Sequence, residues 1–169
     1  AGTPPELVKE KLNQLLTTEV RIIDVRCAPT DFHACDSAIA KHYRYLIWND
    51  SKLPAERDGR VWHVKEPLDV QAMHDTCSVF IGEKDFASFA TKTNFNQKST
   101  HRTVTQATLS HELPMITFDI CADGFLYKMV RNIVRALVKV GEGRYRKKFL
   151  QYKQAWRSEE QLSTRLLRS

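Results

Sequence analysis

An arginine that belongs to neither face of its helix is the first candidate for chemistry in this chain. Gly124-Phe125-Leu126-Tyr127-Lys128-Met129-Val130-Arg131-Asn132-Ile133-Val134-Arg135 reads as a strand end running into an amphipathic helix. Leu126, Met129, Val130, Ile133, Val134, Leu137 and Val138 have the spacing of one buried side. Lys128, Asn132, Arg135 and Lys139 fall on the opposite, wet side. Arg131 sits on the border, one turn from Tyr127 and Val134. From there an arginine can bury its stem and aim its fork into a cleft. A partly desolvated guanidinium calls for an anionic partner, and that partner sets the chemistry.

A second candidate is Tyr43, which combines an aromatic face with a titratable hydroxyl. It lies in the clearest strand of the sequence, Ile39 to Trp48. There Tyr43, Tyr45 and Ile47 point one way, and His42, Arg44, Leu46 and Trp48 the other. Read alone, Tyr43 is as well explained by packing, and Arg131 by an ordinary basic helix surface.

The elements around these residues alternate in type. Pro4-Pro5 opens a helix striped by Leu7, Val8, Leu12, Leu15 and Leu16. Val20 to Cys27 is β-branched and reads as a strand, with a turn at Ala28 to Asp31. After a polar loop from Asn49 to Gly59, Val61 to Val64 is short and extended. Asp69 is a good N-cap for a helix over Val70 to Phe80, with Met73, Cys77 and Phe80 as its buried stripe and Gly82 as its stop. Lys84 to Phe89 reads as a short helical turn whose Phe86 and Phe89 are core anchors. A polar, basic loop follows from Thr91 to Thr100.

Strands over Arg102 to His111 and Met115 to Ala122 form a hairpin around Glu112-Leu113-Pro114. The long helix runs to Val140 and stops at Gly141-Glu142-Gly143. A last basic helix is expected over Arg146 to Trp156. The order implies an α+β fold, an antiparallel or mixed β-sheet with helices packed on one side, in a single domain spanning residues 1–169.

The chain has 169 residues and a net charge of +6, a modest excess that favours a polyanionic partner. Basic residues thicken after Arg131. No apolar run is long enough to cross a membrane as a helix. The four cysteines, at 27, 35, 77 and 121, form no Cys-x-x-Cys pair, which points to free thiols in a reducing, intracellular compartment. Cys27, His33 and Cys35 raise the question of zinc, but their spacing fits no structural zinc pattern and no fourth ligand is evident, so no metal is expected.

Four stretches then occur together: Asp31-Phe32-His33-Ala34-Cys35-Asp36-Ser37-Ala38; Tyr43-Arg44-Tyr45-Leu46-Ile47; Pro67-Leu68-Asp69 with Gly82-Glu83-Lys84-Asp85-Phe86-Ala87-Ser88-Phe89; and Gly124 to Val134 backed by Val140-Gly141-Glu142-Gly143. In this order and at these spacings the chain resembles the TruA family of tRNA pseudouridine synthases, over about Val20 to Gly143. The resemblance implies a pseudouridine-synthase-like catalytic domain that flips a uridine out of folded tRNA, breaks its glycosidic bond, turns the base and rejoins it through carbon 5. That isomerisation implies no cofactor.

In such enzymes an aspartate is the nucleophile, a tyrosine stacks on the base, and an arginine pairs with the aspartate. The resemblance assigns the tyrosine to Tyr43 and the arginine to Arg131. Arg102, Lys128 and Arg135 are the residues expected to contact RNA, Arg102 because it flanks the polar loop with Lys92, Lys98 and His101; His33 and Tyr127 are softer candidates. The aspartate's Gly-Arg-Thr-Asp-x-Gly-Val-His-Ala motif is not found. Arg102-Thr103 is followed by Val104, and Asp31 stands near His33-Ala34, which match a different family motif, so Asp31 is read as a loop or turn residue.

The chain is therefore expected to be the C-terminal portion of a longer enzyme, inactive without an N-terminal segment that carries the nucleophile. By analogy with bacterial members, a homodimer is among the expected assemblies. Cys35 replaces a usual RNA-contacting arginine, Arg135 replaces a usual glycine, and the family's closing Gly-Leu segment is absent after Trp156. Two other classes stay open: a non-catalytic RNA-binding module or degenerate paralogue, and a protein-interaction domain that binds no tRNA.

Overall fold

A computed structural model describes residues 2–91 and 99–146. The expected basic helix beyond its first residue Arg146, the candidates Lys92 and Lys98, and the segment after Trp156 lie outside the described residues. The chain divides into two compact units, Ala1–Ala38 and Ile39–Ser169.

The first unit contains α1 (Pro5–Leu15), which starts at a proline as the sequence implies. Phe32 donates its backbone N–H to the Pro29 carbonyl, closing the expected turn. The strand expected over Val20 to Cys27 does not form. β-Branched residues favour a strand only where a neighbouring ladder receives their backbone groups. Here the Asn13 side chain serves Ile22 instead, accepting from its N–H at 2.7 Å and donating to its carbonyl at 3.0 Å.

Among its described residues the second unit has five strands: β1 (Lys41–Asn49), β2 (Trp62–Val64), β3 (Gly82–Asp85), β4 (His101–Glu112) and β5 (Met115–Ala122). Their spatial order is β2-β1-β5-β4-β3. Only β1 and β2 run parallel, so the sheet is mixed. Along β5 every second residue is buried: Ile116, Phe118, Ile120 and Ala122. That face joins one core with Ile47, Met73, Phe80, Met129, Ile133 and Leu137. In β4 the inward set switches from Val104 to Ala107 and Leu109, because a bulge between Val104 and Gln106 shifts the parity by one.

Two helices cover this face. In α2 (Val70–Thr76) the Asp69 carboxylate caps Ala72 N–H at 2.9 Å, and a 3₁₀ turn carries the chain on through Cys77–Phe80. The expected helical turn at Lys84 to Phe89 is divided. Lys84 and Asp85 join the edge strand β3, and only Ala87–Phe89 is helical, with Phe86 and Phe89 buried as anticipated.

The other helix is α3 (Met129–Gly141). It ends one residue later than expected, with Gly141 inside its last turn. The stop comes at Gly143, whose φ of +71° suits glycine. Gly143 N–H bonds to the Val140 carbonyl and Arg144 N–H to the Lys139 carbonyl, the paired closure of a Schellman motif. Asp69 N–H donates to the Gly141 carbonyl at 2.9 Å, joining the start of α2 to the end of α3.

Candidate nucleic-acid cleft and active site

β2 matches β1 only at Ile47, Trp48 and Asn49, so among the described residues Lys41 to Leu46 has a strand neighbour on the β5 side alone. Beside this unpaired edge the N-terminal turn of α3 comes down, and two adjoining cavities open there. The smaller, of about 420 Å³, is lined by Tyr43, Tyr45, Phe125, Tyr127, Lys128 and Arg131 among others. The larger, of about 990 Å³, takes Arg44, Arg60, Lys128, Arg131, Asn132 and Arg135 into its walls. Tyr45, Lys128 and Arg131 belong to both.

Alternation in β1 puts Tyr43 on the helix side of the sheet, where its ring meets that of Phe125 edge to face and the residue as a whole is 49% exposed. Phe125 is delivered by the turn after β5, closed by Thr103 N–H to the Asp123 carboxylate at 3.1 Å and Asp123 N–H to the Thr103 carbonyl. Leu126 then enters the core and anchors the start of α3.

Lys128 stands at the N-cap with φ 58° and ψ 10°, a left-handed conformation that non-glycine residues seldom adopt. Its Nζ lies 5.2 Å from the centre of the Tyr127 ring, within cation–π range. Both residues are exposed.

Arg131 lies in the first turn of α3 and faces both cavities. The border position suggests partial burial, but the residue is exposed, because the cleft it faces is open to solvent. Among the described residues no carboxylate forms an ion pair with Arg131, Arg135, Lys128 or Arg60. Asn132 is more strongly fixed than its neighbours: its side-chain amide donates to the Phe89 carbonyl at 2.7 Å.

The structure thus brings Tyr43, Lys128 and Arg131 to one cavity, and Arg135 to the adjoining one. Arg102 lines neither cavity: it is in β4 beside β3, donates to the Ser99 and His101 carbonyls, and lies against Gly124, next to Phe125. His33 belongs to the first unit, where its backbone N–H donates to the Ser37 hydroxyl at 3.0 Å.

Two cleft residues escape a reading by motif. Arg60 sits in a polar loop with no periodicity to mark it. Arg44 appears as one of the side chains facing away from the helices, and only the shortness of β2 lets it reach the cleft. On that outer face Asp119, opposite it in β5, accepts from Arg44 Nε at 2.9 Å and from a terminal guanidinium nitrogen at 3.2 Å. His42 Nε2 lies 3.0 Å from the same carboxylate. The Arg44 hydrogen bond, above all, holds the Asp119 carboxyl below its ordinary pKa, while partial burial pulls the other way.

Chemically, the cleft presents an aromatic platform beside a concentration of positive charge. Its larger part is lined by five cationic side chains and no carboxylate among the described residues. That combination suits a base stacked on a ring with its phosphates drawn to arginines.

Comparison with known proteins identifies the family. The family described as tRNA pseudouridine synthase matches residues 76–163. A tRNA pseudouridine synthase A of Methylacidiphilum infernorum is 41% identical over 140 residues, covering 83% of this chain and 55% of that protein. One from Acetivibrio thermocellus is 37% identical, covering 86% of this chain and 59% of the relative. A tRNA pseudouridine synthase A 2 of Clostridium perfringens is 36% identical over 150 residues, with 89% and 61% covered. The chain therefore spans a little over half the length of these relatives. With a matched family region longer than half the chain, and relatives aligned along most of it, this chain belongs to the tRNA pseudouridine synthase family.

Proposed function

We propose that this chain is the C-terminal portion of a tRNA pseudouridine synthase that isomerises uridine to pseudouridine in tRNA. The observation that carries the proposal is the meeting of Tyr43 and Arg131 in one cavity, from elements 88 residues apart in sequence by their numbers. In this reading a uridine leaves its stack and rests against the Tyr43 ring. Arg131 holds a nucleophilic aspartate in its ionised form by close opposite charge. The glycosidic bond breaks, the base turns, and a carbon–carbon bond to carbon 5 replaces the carbon–nitrogen bond. The carbon-5 proton is released, with help from the Tyr43 hydroxyl, and N1 gains a proton, so the reaction is an isomerisation without redox change.

The aspartate is assigned to a segment outside residues 1–169. The open cleft, whose lining holds no carboxylate among the described residues, supports that assignment, as do relatives that extend well beyond the matched region. Lys128 and Arg135 contact phosphates in the same cleft. Arg102 lines neither cavity but lies against Gly124, beside Phe125, and serves RNA where the substrate passes that turn.

The test is tritium release from carbon-5-labelled uridine in tRNA by the full-length protein. Release that is lost in Arg131→Ala supports the reading; absence of release from the unaltered protein overturns it. The same basic cleft is what a non-catalytic RNA-binding module needs, and salt-sensitive tRNA binding without release would favour that second reading.

A further inference from the structure

The cleft has a wall that the proposed chemistry does not use. Arg44 and Arg60 reach it from β1 and from the loop before β2, whereas Lys128, Arg131 and Arg135 reach it from α3. Arg44 belongs to the sheet face turned away from the helices, because it stands opposite Asp119 in the β1–β5 ladder. The larger cavity consequently wraps around the unpaired edge of β1 and is bounded by cations from both sides of the sheet.

The two arginines differ in how they are held. The Asp119 side chain is only 14% exposed and takes two donors from the Arg44 fork, which fixes the plane of that guanidinium. A third nitrogen of the fork is left over for another acceptor. Arg60 forms no ion pair among the described residues. Keeping like charges together in a cleft costs energy in the free protein, which an arriving polyanion relieves.

We propose that Arg44, oriented by Asp119, and Arg60 form a phosphate-gripping wall that leads the RNA backbone around the edge of β1 toward Tyr43. The proposal rests on the tRNA reading of this cleft and adds a second set of contacts to it. Arg44 and Arg60 are binding residues, and Asp119 is a positioning residue that acts through Arg44.

The role of Asp119 makes the test sharp, because its charge and its hold on Arg44 act in opposite directions. If Asp119 were merely a nearby negative charge, Asp119→Asn would tighten binding of an anionic RNA. If it positions Arg44, the same change weakens binding. The experiment measures tRNA affinity of the full-length protein as a function of salt for Arg44→Ala, Arg44→Lys, Arg60→Ala, Asp119→Asn and the Arg44→Ala/Asp119→Asn pair, with thermal unfolding of each as a folding control.

Arg44→Ala and Arg60→Ala are each expected to weaken binding similarly for all tRNA sequences and to reduce the slope of log affinity against log salt by roughly 0.7–0.9. Arg44→Lys, which keeps charge but not the fork, should recover only part of the loss. Asp119→Asn should weaken binding alone, whereas once Arg44 is alanine only the loss of negative charge remains and the same change should no longer weaken binding and should tighten it slightly. Unchanged slopes in both alanine variants, or tighter binding by folded Asp119→Asn, overturn the proposal. If the unaltered protein shows no salt-dependent tRNA binding, the underlying functional reading fails instead.

Discussion

Tyr43 and Phe125 meet edge to face, with ring centroids 5.1 Å apart and planes at 87°. The contact joins β1 to the segment that delivers α3, so it couples the placement of the phenol to that of Arg131. A T-shaped aromatic pair contributes about 0.5–1.5 kcal/mol beyond its buried area. Tyr43→Phe retains the ring, so thermal stability should change little. The proposed hydroxyl role is removed, and tritium release by the full-length protein should fall by at least tenfold. Release equal to the unaltered protein would show that the ring alone matters.

Arg131 and Arg135 are one helical turn apart and both line the larger cavity, but only Arg131 also reaches the cavity of Tyr43. Arg131→Ala should therefore abolish turnover, whereas Arg135→Ala should act mainly through tRNA affinity. Single-turnover rates at saturating tRNA separate the two effects. Comparable rates in both variants would remove the role assigned to Arg131.

Much of this arrangement is visible in the sequence. The alternation of Tyr43, Tyr45 and Ile47, the Asp69 cap and the stripe of α3 each express a local rule. Their signals survive because packing reinforces them. Three features were not legible for physical reasons. The exposure of Arg131 depends on what closes the cleft, which helical spacing does not encode. Val20 to Cys27 has strand composition but lacks a ladder, and composition cannot supply a neighbour. Arg44 and Arg60 become cleft residues because β2 is short, a fact of register rather than of motif.

The close crossing of α2 and α3 rests on Gly141. A Cβ there would lie 2.7 Å from Met73 Sδ, 3.1 Å from its Cγ and 3.2 Å from Leu68 Cβ. Helix propensity favours alanine over glycine by about 0.5–1 kcal/mol. Overpacking costs about 1–3 kcal/mol, and Met73 is fully buried with little room to give. Overpacking should win, so Gly141→Ala should lower the midpoint of chemical denaturation. A higher midpoint would mean that Met73 repacks freely.

The Asp119–Arg44 pair predicts an acid limb in the stability curve. Its hydrogen bond to Arg44 holds the Asp119 pKa below the unfolded value of about 3.9. A group depressed in the folded state stabilises fully above its unfolded pKa and loses that contribution as pH falls through its folded pKa. Asp119→Asn should therefore reduce the drop in melting temperature between about pH 6 and pH 3. An undiminished drop would assign the acid sensitivity to other carboxylates.

Burial should divide the cysteines by reactivity. Cys77 sits in the 3₁₀ turn after α2 with only 3% of its surface exposed, and burial pushes its thiol up to about 12. At pH 8 such a group is thiolate about one part in ten thousand, and the thiolate is the reactive form. Cys27 and Cys35 are exposed, and Cys121 is intermediate. In native buffer a maleimide should label Cys27 and Cys35 first, Cys121 more slowly, and Cys77 only as denaturant opens the core. Peptide mapping after timed quenching reads this order directly. Labelling of Cys77 at the rate of Cys27 would mean that the turn closing α2 opens readily, which is incompatible with the packing of Phe80 and Met73 against the sheet.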